Sequence, residues 1–279
     1  MTEKTVTSRI DKRGVAHVIL SNPEKHNAFD DNIIAQLTKA FGDIASNGSV
    51  RVMVLSSSGK SFSAGADLNW MKRMASYSYE ENLRDAHALA DMLQALNFMP
   101  QPTIARVQGA AFGGAVGLVS CCDMAVGSTR ARFSLSEVKI GLIPATISPY
   151  VIDAIGKRAA QRYFTTAEAF NADTALQLGL LSEVVVEEAL DESVDTLVNH
   201  ILGNSPAAVR AGKALVFDVT GHAKATSDNN NEAMIAMTCE KIAAIRVSDE
   251  GQEGLQAFLE KRPASWLRPA STDQENNNV

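Results

Sequence analysis

The chain has 279 residues, of which 46% are hydrophobic and 21% charged, and its formal net charge at pH 7 is −6. This length and composition are typical of one large globular domain, or of a domain with an appendage. The acidic balance, with no basic block or stripe, argues against a nucleic-acid-binding protein.

The N-terminal residues show neither an apolar signal segment nor an arginine-rich transit pattern, and no apolar run approaches the ~20 residues of a membrane span. The cysteines are Cys121, Cys122 and Cys239, and the first two are adjacent in an apolar run. Such usage favours a reducing compartment over a disulfide framework, and no metal-ligand spacing occurs. We therefore expect a cytoplasmic protein with no metal and no membrane contact.

Short runs rich in β-branched residues predict the strands. These are Val6–Ile10, Val15–Leu20, Val52–Leu55, Thr103–Val107, Met124–Val126 and Val184–Val186. The turn residues Asp-Lys-Arg-Gly between the first two runs indicate a hairpin.

Apolar residues at helical spacing predict the helices. The first begins after a cap at Asp30 and ends before Asn47-Gly48, and the others are Asp67–Ala75, Glu80–Leu96, Ile152–Phe164, Ala167–Leu178, Leu190–Leu202, Pro206–Val216, Asp228–Ala244 and Glu250–Glu260. Strands alternate with helices up to about residue 180 and helices alone follow, a pattern that favours an α/β fold with buried strands.

Two loops have the order strand, small residues, helix start: SAGADL at Ser63–Leu68 and AFGGAVGL at Ala111–Leu118. The start of a helix leaves backbone N–H groups unpaired, and glycine or alanine lets another molecule's oxygen approach them. Two facing starts would form an oxyanion hole for a thioester carbonyl. The alternative is a purely structural one, because glycine-rich turns of this kind often serve only packing, and neither loop has a GxGxxG or GK[ST] motif.

Glu137 stands between the apolar residues Leu135 and Val138. It is either half-buried, with a raised pKa suited to proton transfer, or exposed on a strand or turn. The residues alone leave both alternatives open.

The chain resembles the crotonase family, also called the enoyl-CoA hydratase/isomerase superfamily, in motifs that follow one another in the family's order. They are NPEKHNAF (22–29), SFSAGADL (61–68), PTIARVQGAAFGGAVGL (102–118), ARFSLSEVKIGLIP (131–144) and EGLQAFLEKRPASW (253–266). The resemblance implies a crotonase-like spiral of ββα units over residues 1–205 and an all-helical trimerisation region over 206–268. The polar residues 269–279 are predicted to be disordered.

The same resemblance implies the site residues. The backbone N–H groups of Ala66 and Gly114 would form the oxyanion hole, and Glu137 would be the catalytic carboxylate. Contacts with the acyl-CoA are implied for Lys25, Ala28, Ala64, Gly65, Asp67, Leu68 and Gly113, and, lent by a neighbouring subunit, for Phe258 and Lys261. The expected partners are an acyl-CoA thioester and the chain itself, as a homotrimer or a dimer of trimers. No cofactor is expected beyond the coenzyme A of the substrate.

One departure from the family concerns the first catalytic glutamate of two-glutamate hydratases, which maps onto Gly117. The GGAVGL and LSEVKIGLIPATISPYV segments resemble bacterial methylglutaconyl-CoA and carboxygeranoyl-CoA hydratases. We therefore expect hydration of a branched, carboxylated enoyl-CoA by a single glutamate, as in leucine or isoprenoid breakdown. One base also suffices for double-bond isomerisation, which is the first alternative. A non-catalytic binding protein is the alternative from another class.

Overall fold

Nine strands occur in the residues that the computed structural model describes, 5–225 and 230–267. They are β1 (Val6–Ile10), β2 (Val15–Leu20), β3 (Val52–Ser57), β4 (Thr103–Val107), β5 (Ala110–Phe112), β6 (Met124–Ser128), β7 (Arg132–Ser134), β8 (Phe170–Asn171) and β9 (Glu183–Val185).

Ten α-helices lie in the same described residues. They are α1 (Asp31–Ala45), α2 (Leu68–Met74), α3 (Tyr79–Asn97), α4 (Gly114–Cys121), α5 (Ser148–Thr166), α6 (Ala172–Leu178), α7 (Leu190–Leu202), α8 (Pro206–Ala225), α9 (Asn230–Val247) and α10 (Asp249–Leu259).

The larger sheet has the strand order β1-β2-β3-β4-β6-β9. The predicted hairpin is confirmed, because β1 and β2 pair antiparallel, with Val6 opposite Leu20. All other neighbours in this sheet are parallel, as the pairing of Val15 with Val52 and of Leu55 with Ala105 illustrates. Parallel strands need crossover connections, which is why helices separate them in the sequence.

The second sheet is small, with the order β5-β7-β8. Two isolated parallel bridges lie beside it, Ser63 with Ala111 and Phe29 with Ala66. The chain thus repeats one path: a strand of the large sheet, a short extended stretch such as β5 or β7, and then a helix. This repetition confirms the predicted α/β spiral of ββα units.

The apolar faces of the helices join the large sheet in one core. Asp30 caps α1 by accepting the N–H of Ile33, as predicted. Behind this cap, the buried face of α1 packs with that of α3 and with side chains of β2 and β3. The fully buried members of this group include Leu37, Phe41, Met92, Leu93, Leu96 and Leu55. The sheet and its covering helices form the rigid support for the loops at the strand ends.

The chain divides into two compact units, Met1–Val198 and Asn199–Val279. The predicted boundary at 205/206 stays a prediction, and the predicted tail 269–279 lies outside the described residues. In the second unit, Arg262 donates to both carboxylate oxygens of Glu253 at 2.8 Å, and the N–H of Ser265 donates to the same carboxylate. The Arg262 hydrogen bond is the largest cause that lowers the pKa of Glu253 to about 2.

One predicted helix is wrong at its start. The sequence pattern predicts a helix over Ala167–Leu178, but α5 continues to Thr166 and Ala167 then adopts a left-handed conformation (φ 50°). After this turn the chain forms β8, and Asn171 caps α6 by accepting the N–H of Thr174. The apolar residue at the turn, Ala167, is buried for packing and therefore imitated a helical position. The strands β5, β7 and β8 were not predicted because none of them contains a β-branched residue.

Candidate active site

The structure brings together the two loops that the sequence analysis singled out. Ser63 bridges to β5: its N–H donates to Ala110 O at 3.0 Å and its C=O accepts from Phe112 N at 3.0 Å. A Cβ added to Gly65 would lie 2.9 Å from Phe112 O, so only glycine permits this approach. Gln108 and Asn27 are both buried, and their side-chain amides donate hydrogen bonds to Ser61 O, which holds the loop in place.

The N–H of Ala66 is directed away from the backbone that holds this loop. Phe29 N donates to Gly65 O, and Asp67 N donates to Phe29 O, both at 2.8 Å. Because alternate residues of an extended strand turn their backbone groups to opposite sides, the pairing leaves the Ala66 N–H on the other side. No acceptor among the described residues takes this N–H, and Ala66 lines a cavity.

Gly114 provides a second such donor at the start of α4. Gly113 precedes it with φ 54° and ψ −124°, a conformation that favours glycine, and donates its own N–H to Ser134 O. Gly114 is the first residue of the helix, so its N–H has no partner within the helix. A Cβ added to Gly114 would lie 2.8 Å from Phe29 Cε2. The loop geometry therefore allows the predicted oxyanion hole, and Gly114 lines the same cavity as Ala66.

The cavity has a volume of about 260 Å³ and lies within the first unit. One wall comes from α2 and α3, and the other from the segment between β7 and α5. Its lining residues are Phe29, Ala66, Trp70, Met74, Asn82, Asp85, Ala86, Leu89, Gly114, Glu137, Leu142, Ile143, Pro144, Thr146 and Ile147. Among these lining residues the ionisable side chains are Glu137 and Asp85, and none is basic. An acyl group that is uncharged along its buried part suits such a lining.

Glu137 is half-buried on a single 3-10 turn, Glu137–Ile140. Its carboxylate lies beside the oxyanion loop, because a Cβ on Gly113 would be 3.3 Å from Glu137 Oε1. Oε2 is buried and makes no hydrogen bond with any described residue. Burial raises the pKa of Glu137 above its ordinary value. Of the two alternatives that the sequence left open, the structure supports the one suited to proton transfer.

Gly117, where two-glutamate hydratases carry their first glutamate, has no room for a side chain. A Cβ there would lie 2.3 Å from Ile147 Cγ2 and 2.8 Å from Ile147 Cβ. Ile147 is 3% exposed and lines the cavity. The space in front of position 117 is thus filled by an apolar side chain, and a second carboxylate would have to come from another element.

We expect Gly117→Ala to lower the free energy of unfolding by about 1–3 kcal/mol, because the added methyl overpacks against Ile147. Ile147→Gly removes the side chain that the methyl would meet, but it also destabilises the protein because it leaves a cavity. The double variant should be less destabilised than the sum of the two single variants, as measured by urea unfolding of all four proteins. Additive effects would show that the two positions do not touch in solution.

The implied contacts with coenzyme A cluster where the 26–29 stretch meets the 63–68 loop. Lys25 Nζ lies 3.7 Å from Asp67 Oδ2, and Ala64 N donates to His26 O. Asp67 caps α2 by accepting from Asn69 N and Trp70 N. Burial opposes ionisation of Asp67, but these N–H groups and Lys25 together lower its pKa. Asp67 therefore orders the loop that carries Ala66.

The remaining implied contacts have different surroundings. Ala64 and Leu68 are exposed, whereas Ala28 is buried beside Lys25, whose C=O accepts the Ala28 N–H. In the second unit, Phe258 is 82% exposed near the end of α10, and Lys261 follows that helix. The binding of an acyl-CoA by these residues stays a prediction.

Sequence reasoning missed three polar residues that line the cavity: Asn82, Asp85 and Thr146. A signal was present for two of them, because Asn82, Asp85 and Leu89 share one face of α3 at helical spacing. The apolar side chains of Trp70 and Met74 line the same cavity.

Residues 5–225 and 230–267 contain no cluster of three or more potential metal-ligating side chains. No helix in this part of the chain is both long and apolar enough to cross a membrane.

Known proteins share both this sequence pattern and this fold. The enoyl-CoA hydratase/isomerase family model matches residues 11–269. An enoyl-CoA hydratase from Shewanella pealeana is 44% identical, with a TM-score of 0.88 and coverage of 94% of this chain and 96% of that one. An enoyl-CoA hydratase from Mycobacterium smegmatis is 34% identical, with a TM-score of 0.86 and coverage of 95% and 99%. Human mitochondrial enoyl-CoA hydratase domain-containing protein 3 is 30% identical over 270 residues, 95% of this chain and 84% of that protein.

Proposed function

Because the chain belongs to the enoyl-CoA hydratase/isomerase family, we propose that it adds water to an α,β-unsaturated acyl-CoA. The observation that carries the proposal is the meeting of two unpaired N–H groups, Ala66 and Gly114, with the half-buried Glu137 in one cavity. Donors placed in advance at a carbonyl oxygen stabilise the negative charge that develops there.

The proposed reaction follows from these groups. The thioester oxygen accepts hydrogen bonds from both N–H groups. When the water oxygen bonds to the β-carbon, the electron pair of the C=C bond shifts toward the thioester oxygen and an enolate forms. The α-carbon then takes a proton, and the attacking water loses one. Glu137 serves one of these two proton transfers, and the product is a 3-hydroxyacyl-CoA.

The acyl group that we propose is branched and carboxylated, with 3-methylglutaconyl-CoA as the example. Support comes from the resemblance of the GGAVGL and LSEVKIGLIPATISPYV segments to hydratases of such substrates. No basic residue lines the described cavity, so a carboxylate deep inside it would lie unpaired near Glu137. The exposed Leu142 and Ile143 form an edge of the cavity. The proposal therefore places the substrate's carboxylate at this edge, where water solvates it.

The test is the ultraviolet absorbance of the enoyl thioester during incubation with the pure protein. We expect the absorbance of 3-methylglutaconyl-CoA to fall faster than that of 3-methylcrotonyl-CoA, which has the branch without the carboxylate, and than that of crotonyl-CoA. Faster loss on 3-methylcrotonyl-CoA would keep the hydratase and overturn the carboxylated substrate. If none of the three compounds is hydrated but a 3-enoyl-CoA is converted to its 2-enoyl isomer, the proposed hydratase activity is wrong and the protein is an isomerase.

We also propose that the chain assembles as a trimer or a dimer of trimers. The last helix of the second unit supports this, because Phe258 and Leu259 at its end are 82% and 76% exposed. Large apolar side chains left this open are suited to burial by another copy of the chain. In such an assembly Phe258 and Lys261 would be available to a neighbouring subunit's substrate.

A further inference from the structure

Asp85 is the second carboxyl group that lines the candidate active site. It lies on the cavity-facing side of α3, one helical turn from Asn82 and one from Leu89, which line the same cavity. Glu137 belongs to the opposite wall, in the segment that precedes α5. The two carboxyl groups therefore face one space from different elements.

Position 117 lacks the carboxylate of two-glutamate hydratases, so a second acid or base must come from another residue. Adding water to a C=C bond requires one proton taken from water and one given to carbon, and hydratases with two glutamates divide these tasks. Ile147 fills the space that a glutamate at 117 would need. Asp85 is the other ionisable side chain among the cavity's lining residues.

We infer that Asp85 is the second catalytic carboxyl group of this enzyme and accepts the proton of the attacking water. The inference rests on the proposed hydratase function. Water oxygen bonds to the β-carbon while its proton passes to the Asp85 carboxylate. The π electron pair moves to the thioester oxygen, which the Ala66 and Gly114 N–H groups hold. Glu137, beside the oxyanion loop, gives its proton to the α-carbon, and a proton returning from Asp85 to Glu137 restores both groups.

The surroundings of Asp85 suit a base. Burial raises its pKa above the ordinary value, which makes the carboxylate a stronger proton acceptor. The Trp70 indole N–H and the Arg73 guanidinium favour its ionised form, and Asp31, which is paired with Arg73, opposes it. The indole N–H is buried and makes no hydrogen bond with a described residue. It thus remains available to the Asp85 carboxylate, which it lies near enough to influence.

The first variant that tests the inference is Asp85→Asn, which keeps the size of the side chain and removes the base. We expect kcat for the best enoyl-CoA to fall about 10²-fold while KM changes little. We also expect the acidic limb of the pH–kcat profile to disappear, because that limb reports protonation of the base. The matched control is Asp91→Asn, the same change on an exposed position of α3 outside the cavity lining. It should leave kcat and the pH profile unchanged.

A second variant guards against a merely structural effect. Asp85→Ala should be as slow as Asp85→Asn, and added formate should restore part of kcat by supplying a carboxylate. A positioning role through Trp70 would lower activity without formate rescue and without loss of the acidic limb. An Asp85→Asn variant with the activity of the parent would overturn the inference and leave the hydratase standing. A parent protein that hydrates no enoyl-CoA would instead overturn the proposed function.

Discussion

Replacing Glu137 by glutamine is expected to lower kcat for hydration by about 10²–10⁴-fold, the usual contribution of a positioned acid or base. Its carboxylate lies beside Gly113, next to the proposed oxyanion hole, and no other described ionisable group but Asp85 lines the cavity. Glutamine keeps the shape and cannot transfer the proton. The absorbance assay measures the loss, and binding of a saturated acyl-CoA should be unchanged because the N–H donors remain.

The thermal stability of Glu137→Gln tests whether the Glu137 carboxylate is buried in the folded protein. Burial raises the pKa of Glu137 in the folded protein above its unfolded value. The folded state therefore binds this proton more tightly, and this contribution to stability is present at low pH and lost as the pH rises through the raised pKa. Glu137→Gln should melt above the parent at neutral pH, and the difference should vanish below about pH 4.

The control for Glu137 is Glu188→Gln, which changes an exposed carboxylate outside the cavity in the same unit. It should leave both kcat and the melting temperature close to those of the parent. Full activity of Glu137→Gln would remove this residue from the mechanism and would overturn every version of hydration or isomerisation that depends on its carboxylate. An equal pH dependence of melting in the two variants would show that Glu137 is more hydrated than its surroundings indicate.

Gly114→Ala is expected to lower kcat by about 10²–10³-fold, as large as the effect of removing one oxyanion donor, because it displaces the donors. The added methyl would stand 2.8 Å from the ring of Phe29, which is 2% exposed and cannot swing into solvent. The backbone of Phe29 also pairs with the residues on either side of Ala66. A shift of Phe29 therefore displaces both N–H donors, and overpacking should cost about 1–3 kcal/mol of stability.

Gly42→Ala is the matched control for this prediction. Gly42 lies in α1 on the exposed side, and a Cβ added there meets nothing within 4 Å. Alanine should stabilise the helix by up to about 1 kcal/mol and leave kcat unchanged. Stopped-flow or steady-state rates of both variants, compared at equal folded fraction, separate the displacement of the donors from the loss of stability. Parent-like activity in Gly114→Ala would show that the added methyl does not displace the N–H donors, and would contradict the prediction.

Most long elements could be predicted because their signals are local. The apolar period of α1, its cap at Asp30 and the β-branched runs of β2 and β4 each lie within a few consecutive residues. The local signal was wrong at Ala167, where a buried apolar residue fits the helical spacing but the backbone is left-handed. The short strands β5, β7 and β8 had no local signal, since long-range pairing alone defines them.

Some features of the site could likewise be predicted from the sequence, and others only from the structure. The sequence alone determined the two small-residue loops, the retention of Glu137 and the absence of a side chain at Gly117, since these depend only on which residue stands where. Only the tertiary structure decided that Ala66 and Gly114 face one cavity, that Ile147 occupies the space before Gly117, and that Asp85 lines the wall opposite Glu137. The physical reason is that packing between distant segments sets the direction of an N–H group and the contents of a cavity, whereas periodicity and caps report only on neighbours along the chain.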